Sequence, residues 1–567
     1  MKLDKQIEKY AVTIEKVFLV LFFALLLVKL AILFFQNIAV PPLTTDSWAY
    51  YSISKTLFED FGFTNYIRQF EYISDYNISF PPLFPLLIRL SNSLVDKGVY
   101  AGYFLNFIFA GAIGILLPKL TKQITDSFLP GIFLLLLLAV NYHFLTELLG
   151  ARSMILSLLL LIGLIHIFLQ QQLTQKHIAA IGFLAGLLTL NRFDFLLPSV
   201  LLGIVLLFVA KLTKIRTGLI YSAVFLLVIS PWIWYSQSHF GGWFVSDNSR
   251  SILLAAKTFT FDYYPHPEQI PTLFTQPFYW FAYRVIFKGG FSFIQFIKDV
   301  YYNPFFQQLF IGVGILLTTM AFIISQNGKI LLSKLKFEPI RRLTWLAPIF
   351  LFQLFSIGLT GFLDMRYTLF FLFYICLFLV GLAYVLLSAI LKPLYVLIFS
   401  LVFLTILCFE QIIVGLPSDF LLLAQQPHSI NSQLLKQSGE YQQIAALTTQ
   451  SDQKPVLLID TNQVATVSAA QFAGLSNIKT VETPSNLNDA IFVSLINTYK
   501  INYVYTNCPK WLESLQNHFV ISKTNLPKLI RVEVATDSAK FNNFEYSTVR
   551  DDAYYQCKAP ASVDLIK

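Results

Sequence analysis

The chain has 567 residues, of which 56% are hydrophobic and only 13% are charged, with a net charge of +9 at pH 7. This composition excludes an ordinary soluble protein and is typical of a polytopic membrane protein. The positive charge does not indicate a nucleic-acid partner, because the Lys and Arg residues cluster in short loops between apolar runs, where they act as topology signals.

Apolar runs predict a polytopic α-helical membrane protein with about eleven transmembrane helices, at about 20 residues for each crossing. The first run, at residues 17–35, is long enough to act as an uncleaved membrane anchor. Loops rich in Lys and Arg alternate with segments that collect Asp, Glu and aromatic residues. The positive-inside rule places the basic loops in the cytoplasm. We therefore predict a multi-pass protein of the inner (plasma) membrane, with a first external loop at residues 36–99 and a C-terminal tail on the external, periplasmic side.

The polar tail predicts a small extracytoplasmic α/β domain at residues 416–567, following a membrane domain at residues 1–415. Residues 454–460 and 501–505 are predicted strands, and an apolar stripe between them predicts a helix with Ser485 as its N-cap. The order strand, helix, strand favours parallel pairing. The tail has no Gly-rich phosphate loop, so we expect a structural or acceptor-guiding cap and not a nucleotide site.

Two of the four cysteines, Cys508 and Cys557, lie in the tail. An external compartment permits a disulfide between them, but sequence spacing does not show whether the two residues are close in space. The other two, Cys376 and Cys408, fall within predicted spans and are expected to be packing residues.

One acidic residue of the first external loop, Asp46, lies among aromatic residues just past the first apolar run, and the sequence Phe-Pro-Pro-Leu-Phe-Pro follows at residues 80–85. A short interfacial helix is predicted at residues 52–61. Ser47 and not a second acid follows Asp46, so the loop lacks an Asp-x-Asp pair that could hold a metal. We therefore predict neither an obligatory metal nor another cofactor. The simplest alternative role for Asp46 is that it only caps a helix at the membrane boundary.

The unusual ionisable residues fall almost entirely on the predicted external side. Because charges at or in a membrane are costly, several facing the same side suggest a shared polar cavity. Arginines there would hold an anionic group such as a phosphate, and a carboxylate would take a proton from an acceptor hydroxyl or amine. Phosphate would then be the leaving group, stabilised by the same arginines. The residues are Asp46, Glu147, Arg152, Arg192, Asp194, Arg284 and Arg366.

In these features the chain resembles the GT-C glycosyltransferases, and most closely their protein-mannosyltransferase-like and lipid A aminoarabinose-transferase-like branch. The resemblance rests on the acid after the first span, the Pro-Pro-Leu-Phe-Pro element, a second acid after the third span and an Arg-Tyr pair opening a late span. It covers about residues 17–414. It implies transfer of a hexose or pentose from a polyprenyl-phosphate donor to a lipid, glycan or protein acceptor outside the membrane.

The resemblance assigns catalytic positions to Asp46 and Glu147, although many family members carry Asp at the second position. It places Arg366 near the donor phosphate. Arg152 and Arg192 match no family motif, and their external position makes them further candidates for the phosphate. The candidate substrate-binding residues are Tyr50, Tyr367, His143 and Arg284.

Two other classes of protein were weighed against a transferase. A transporter or lipid-carrier flippase would need ionisable residues near the bilayer midplane and internal repeats, and the sequence shows neither clearly. A membrane scaffold would use the tail as its binding module. Substitution of Asp46 discriminates these classes, because only a transferase loses activity while it keeps its fold.

Overall fold

The computed structural model describes the chain in stretches, and the structural statements below refer to them. They are residues 45–57, 66–67, 80–94, 101–140, 150–210, 213–240, 242–244, 338–359, 365–390, 455–459, 478–483, 487–506, 508–524 and 528–533, with the single positions Thr13, Val17, Val20, Ala24, Phe144, Glu147, Leu148, Gly314, Ile444 and Ala446.

Most of the described residues belong to apolar helices. The segment predicted to be the first external loop contains α1 (Thr45–Thr56) and α2 (Leu83–Leu94). The helical bundle that follows contains α3 (Ala101–Thr125), α4 (Leu129–Val140), α5 (Met154–Phe168), α6 (Gln175–Asn191), a 3-10 turn (Phe193–Phe195), α7 (Leu196–Val209), α8 (Lys214–Phe240), α9 (Glu338–Thr344), α10 (Ala347–Leu359) and α11 (Met365–Ile390).

The helices of this bundle fit a polytopic membrane protein. In the described part of the chain, three are long and apolar enough to cross a membrane, namely Ala101–Thr125, Lys214–His239 and Leu369–Ser388. Two others in the bundle, Met154–Phe168 and Phe193–Val209, are apolar but shorter. The predicted first and last spans lie mainly or wholly outside the described residues, so the number of about eleven crossings stays a prediction.

α1 begins earlier than predicted, at Thr45 instead of at residue 52, and so includes Asp46. The buried residues explain this start, because Trp48 and Ala49 and, one turn later, Ile53 form a single apolar helical face. An acid in the first helical turn is favoured by the positive end of the helix dipole.

Close packing of α6 against α8 orients the end of α6. A Cβ atom on Gly186 would lie 2.6 Å from the Val228 Cβ, and one on Gly182 would lie 2.9 Å from the Tyr221 carbonyl oxygen. The two glycines are one turn apart and let the helix backbones approach, as small residues do in membrane helix pairs.

A six-stranded mixed sheet lies in the C-terminal tail and takes one strand, β1, from the predicted first external loop. The strand order is β1-β3-β2-β4-β6-β5, with parallel pairing from β1 to β4 and antiparallel pairing beyond it. The strands are β1 (Tyr66–Ile67), β2 (Val456–Ile459), β3 (Lys479–Glu482), β4 (Tyr503–Tyr505), β5 (Val520–Lys523) and β6 (Leu529–Glu533).

Two helices of the tail, α12 (Asp489–Thr498) and α13 (Pro509–His518), pack on one face of this sheet. The parallel pairing of β2 with β4 around α12 is the arrangement that the sequence pattern predicts. The predicted N-cap was wrong: Asn488 caps α12 by accepting a hydrogen bond from the Ile491 amide at 2.8 Å. The Asn488 side chain binds a backbone amide of the first helical turn that has no partner within the helix, so α12 begins at the next residue, Asp489.

Candidate functional site

α1 is docked onto the helical residues Glu147 and Leu148 and the turn at residues 150–153, which together are called the acidic turn below. The Ser47 hydroxyl donates a hydrogen bond to the Gly150 carbonyl, and the Tyr50 and Ser153 hydroxyl oxygens lie 2.9 Å apart. Ser47 is 1% exposed and Tyr50 is 7% exposed, so both contacts are shielded from water and strengthened by the low local dielectric. The first turn of α1 is thereby held against the acidic turn.

Asp46 directly precedes Ser47 and is half-buried. It is the second residue of α1 and not the residue before the helix, so it does not occupy the N-cap position that the simplest alternative role requires. The contacts of Ser47 and Tyr50 place the helical turn that carries Asp46 beside the acidic turn.

The acidic turn contains a buried ion pair. Arg152 Nη1 donates to Glu147 Oε1 at 2.7 Å, and the Glu147 side chain is 2% exposed. A buried pair of this kind is strongly destabilised when one partner is removed, because the other charge is left uncompensated. Arg152 Nε is also buried and has no hydrogen-bond partner among the described residues, so Arg152 has donor capacity that Glu147 does not use.

Helix α3 holds the backbone of the acidic turn. The fully buried Asn106 donates its side-chain amide to the Glu147 carbonyl at 3.2 Å and to the Arg152 carbonyl at 3.1 Å. One turn earlier, Gly102 packs against Ala151, whose φ of 48° lies in the left-handed region. One face of α3 therefore supports both the hydrogen bonds and the unusual backbone of the turn.

Asn191, the last residue of α6, ties a third helix to the same turn. Its side-chain amide donates to the Ser153 carbonyl at 2.8 Å and to the Ser157 hydroxyl at 2.6 Å. Ser153 thus contacts α1 through its hydroxyl and α6 through its carbonyl, and so connects these two helices within the site.

Arg192 and Asp194 follow Asn191 and form a second ion pair. Arg192 Nε donates to Asp194 Oδ1 at 3.0 Å and Nη2 donates to Oδ2 at 3.3 Å, while Nη1 points to the Met154 sulfur at 3.6 Å. Gln353 of α10 donates to Asp194 at 3.2 Å, and the guanidinium lies 5.6 Å from the centroid of the Phe370 ring in α11. The pair therefore joins α6, α10 and α11.

The remaining predicted site residues are placed only in part. Arg366 and Tyr367 lie in the first turn of α11, and Arg366 is one helical turn before Phe370, so the backbone puts Arg366 near the end of the bundle that holds Arg192. The positions of His143 and Arg284 lie outside the described residues.

Sequence reasoning missed the neutral residues that assemble this site. Asn106, Asn191, Ser153 and Gln353 each bond across elements that are distant in sequence. The available signal was a single asparagine in an otherwise apolar helix, where an unpaired amide is costly and so implies a partner.

In the described stretches, no three His, Cys, Asp or Glu side chains are grouped so that they could hold a metal ion. Some acidic residues of the predicted external segments lie outside those stretches. Transfer without a metal or cofactor therefore stays a prediction.

The architecture matches a solved membrane enzyme over almost the whole chain. The oligosaccharyltransferase from Archaeoglobus fulgidus, in its apo form, superposes with a TM-score of 0.52 at 12% identity, covering 97% of this chain and 78% of that one. The chain therefore shares the fold of this enzyme, which agrees with the fold that the resemblance to the GT-C glycosyltransferases implies. No protein-family model matches the sequence, and no curated protein matches it.

Two further solved structures are similar at lower scores. ArnT from Cupriavidus metallidurans, bound to undecaprenyl phosphate, has a TM-score of 0.48 at 11% identity and covers 91% of this chain and 98% of its own. AglB from Archaeoglobus fulgidus, in complex with an inhibitory peptide and a dolichol-phosphate, has a TM-score of 0.49 at 12% identity and covers 89% of this chain and 72% of its own.

Proposed function

We propose that this protein is a membrane glycosyltransferase that moves a sugar from a polyprenyl-phosphate donor to an acceptor at the external face of the membrane. The observation that carries the proposal is the docking of α1 on the acidic turn. Ser47 contacts Gly150 across 103 positions of sequence, and this contact brings the helix of Asp46 to the Glu147–Arg152 pair. A carboxylate beside an arginine with spare donors suits removal of a proton next to a departing phosphate.

In the proposed reaction, the Asp46 carboxylate accepts the proton of an acceptor hydroxyl or amine. The acceptor atom forms a bond to the anomeric carbon of the sugar while the bond from that carbon to the phosphate oxygen breaks. The electron pair leaves with the phosphate, whose charge Arg152 and Arg366 stabilise. Glu147, which is buried and paired, holds Arg152 in place.

Arg192 has a different place in the proposal. All three of its side-chain nitrogens already contact Asp194 or Met154, so it would reach a phosphate only by giving up one of these contacts. We assign it first to positioning the end of α6 and second to the phosphate. The proposed substrate contacts are Tyr50, Tyr367, His143 and Arg284.

Two observations support an external site and tail. β1 from the first loop pairs with β3 of the tail, so the two segments lie on the same side of the membrane. Cys508 is disulfide-bonded, and disulfides persist mainly in oxidising compartments outside the cytoplasm. Cys557 lies outside the described residues.

Asp46→Asn is the decisive test. The purified protein, reconstituted in lipid, is assayed for transfer with a set of polyprenyl-phosphate-linked hexoses and pentoses, and its melting temperature is measured in parallel. Loss of a general base typically lowers the rate by about 10²–10⁴-fold, so turnover should fall by that factor while the melting temperature stays near the wild-type value. Glu533→Gln is the matched control, because it also converts a carboxylate to an amide but at a side chain that is 60% exposed on β6.

A helix-stabilising role for Asp46 predicts the reverse result, namely a stability loss of about 1 kcal/mol with near-normal turnover. A destabilised but fully active Asp46→Asn protein would therefore end the catalytic assignment. A flippase or scaffold would show no transfer even as the wild-type protein.

A further inference from the structure

We propose that the sheet of the C-terminal tail is a positioning element for the active site, in which Leu457 and Ile459 on one face of β2 hold α1 in place. The tail would then be a structural part of the catalytic centre and not a separate binding module. The effect on turnover rests on the proposed role of Asp46, but the effect of the sheet on the stability of α1 can be tested without an activity assay.

One face of β2 packs toward the first external loop. Leu457 and Ile459, each 1% exposed, belong to the same hydrophobic cluster as Trp48 and Ile53 of α1, which are 0% and 1% exposed. Tyr505 of β4 adds to this face. A strand directs alternate side chains to opposite faces, so residues 457 and 459 point the same way.

The other face of β2 packs within the tail itself. Leu458, which is 0% exposed, belongs to a separate cluster with Phe492 of α12 and Trp511 of α13. Adjacent leucines in one strand, both fully buried, thus support two different structures. Substitutions at the two positions therefore disturb different clusters, one that contains α1 and one within the tail.

A second link joins the loop to the edge of the same sheet. β1 pairs in parallel with β3, with Tyr66 opposite Thr480 and Ile67 opposite Val481. β1 begins ten positions after the end of α1 at Thr56. The loop segment after α1 is therefore fastened by main-chain hydrogen bonds to the strand next to β2.

These contacts place α1 between two supports. Ser47 and Tyr50 bind it to the acidic turn, and the cluster around Leu457 packs it against the tail sheet. Since a shift of about 1 Å in a reacting group can lower a rate by about 100-fold, loosening one support is expected to reduce turnover without unfolding the bundle.

The test compares Leu457→Ala with Leu458→Ala in the full-length protein. Both remove the same atoms from adjacent buried positions. Both variants should lower the melting temperature, because each leaves a cavity in a buried cluster. Leu457→Ala should also lower the kcat of the folded protein by about 10- to 100-fold, whereas Leu458→Ala should leave it near the wild-type value. Leu457→Met, which refills the space, should restore kcat. The milder pair Leu457→Val and Leu458→Val serves if either alanine variant fails to fold.

Amide hydrogen exchange of residues 45–57 provides the readout that needs no substrate. Exchange in α1 should be faster in the Leu457 variant than in the wild type and unchanged in the Leu458 variant. If the two variants alter α1 equally, or neither alters it, the positioning role is wrong. If exchange changes as expected while no variant and no wild-type protein transfers sugar, the positioning role stands and the proposed function fails.

Discussion

Gly102 of α3 lies directly against Ala151 in the acidic turn, since a Cβ atom on Gly102 would be 2.8 Å from the Ala151 Cβ. Ala151 has a φ of 48°, and this left-handed conformation costs an L-residue about 1–2 kcal/mol. Tertiary contacts maintain it, with Asn106 binding the carbonyls on both sides. The turn that carries Glu147 and Arg152 is therefore held in a strained, pre-organised form.

Gly102→Ala should displace the acidic turn. The added methyl group cannot occupy the space of the Ala151 side chain, so we expect a stability loss of about 1–3 kcal/mol and a larger relative loss of sugar transfer. Thermal unfolding and a transfer assay measure the two effects. Gly163→Ala in α5 is the matched control, because its Cβ would lie 3.7 Å from the nearest atom, the Leu184 Cδ1. Equal behaviour of the two variants would contradict the close fit.

Asn106→Leu should remove the hydrogen bonds that orient the turn while it preserves most of the side-chain volume. Each buried carbonyl left without its donor costs about 1–3 kcal/mol, and transfer should fall because Arg152 is no longer held in place. Asn488→Ala, which removes the N-cap of α12, should cost about 1 kcal/mol and leave transfer intact. The prediction fails if both asparagine variants lose stability but retain turnover.

Arg366→Ala should weaken binding of the lipid donor more than it alters folding, because a guanidinium is suited to bidentate contact with phosphate. Titration of the purified variant with a polyprenyl-phosphate sugar should show a loss of affinity of at least about tenfold, or about 1.4 kcal/mol. Arg531→Ala, at a side chain that is 57% exposed on β6, controls for a general loss of positive charge. Unchanged donor affinity would remove Arg366 from the site.

Arg342→Ala should destabilise the predicted cytoplasmic end of the bundle, and Arg341→Ala should not. Both arginines pair with Glu338 and together hold the pKa of its carboxyl below the usual value, mainly through the hydrogen bond from Arg342. Only Arg342, 12% exposed, also donates to the carbonyls of Gln170 and Gln171. Charge-assisted bonds of this kind are worth about 1.5–3 kcal/mol in total, whereas an exposed pair contributes less than about 1 kcal/mol. Parallel melting curves separate the two variants.

The sequence by itself determined the class of the protein and three elements of its tail, namely two strands and the helix between them. Hydropathy over about 20 residues is a local property, so the apolar helices and the first-loop acid are visible without a structure. The strand at residues 456–459 and the following helix are equally local patterns of apolar residues. The exact helix starts at Thr45 and Asp489 were missed, because a helix start depends on which neighbouring groups reach the free amides.

Only the tertiary structure decided how these elements meet. A strand of two residues at Tyr66 has no pattern of its own, and its role exists only through pairing with β3. Ser47 and Gly150, like Asn106 and Arg152, are far apart in sequence, and hydrogen bonds between them depend on how whole helices pack. Asp194 is only two positions from Arg192, but the contacts of Arg192 with Met154 and of Asp194 with Gln353 again depend on the folded chain. Hydropathy reports where a segment resides, whereas the partners of a polar group are set by long-range geometry.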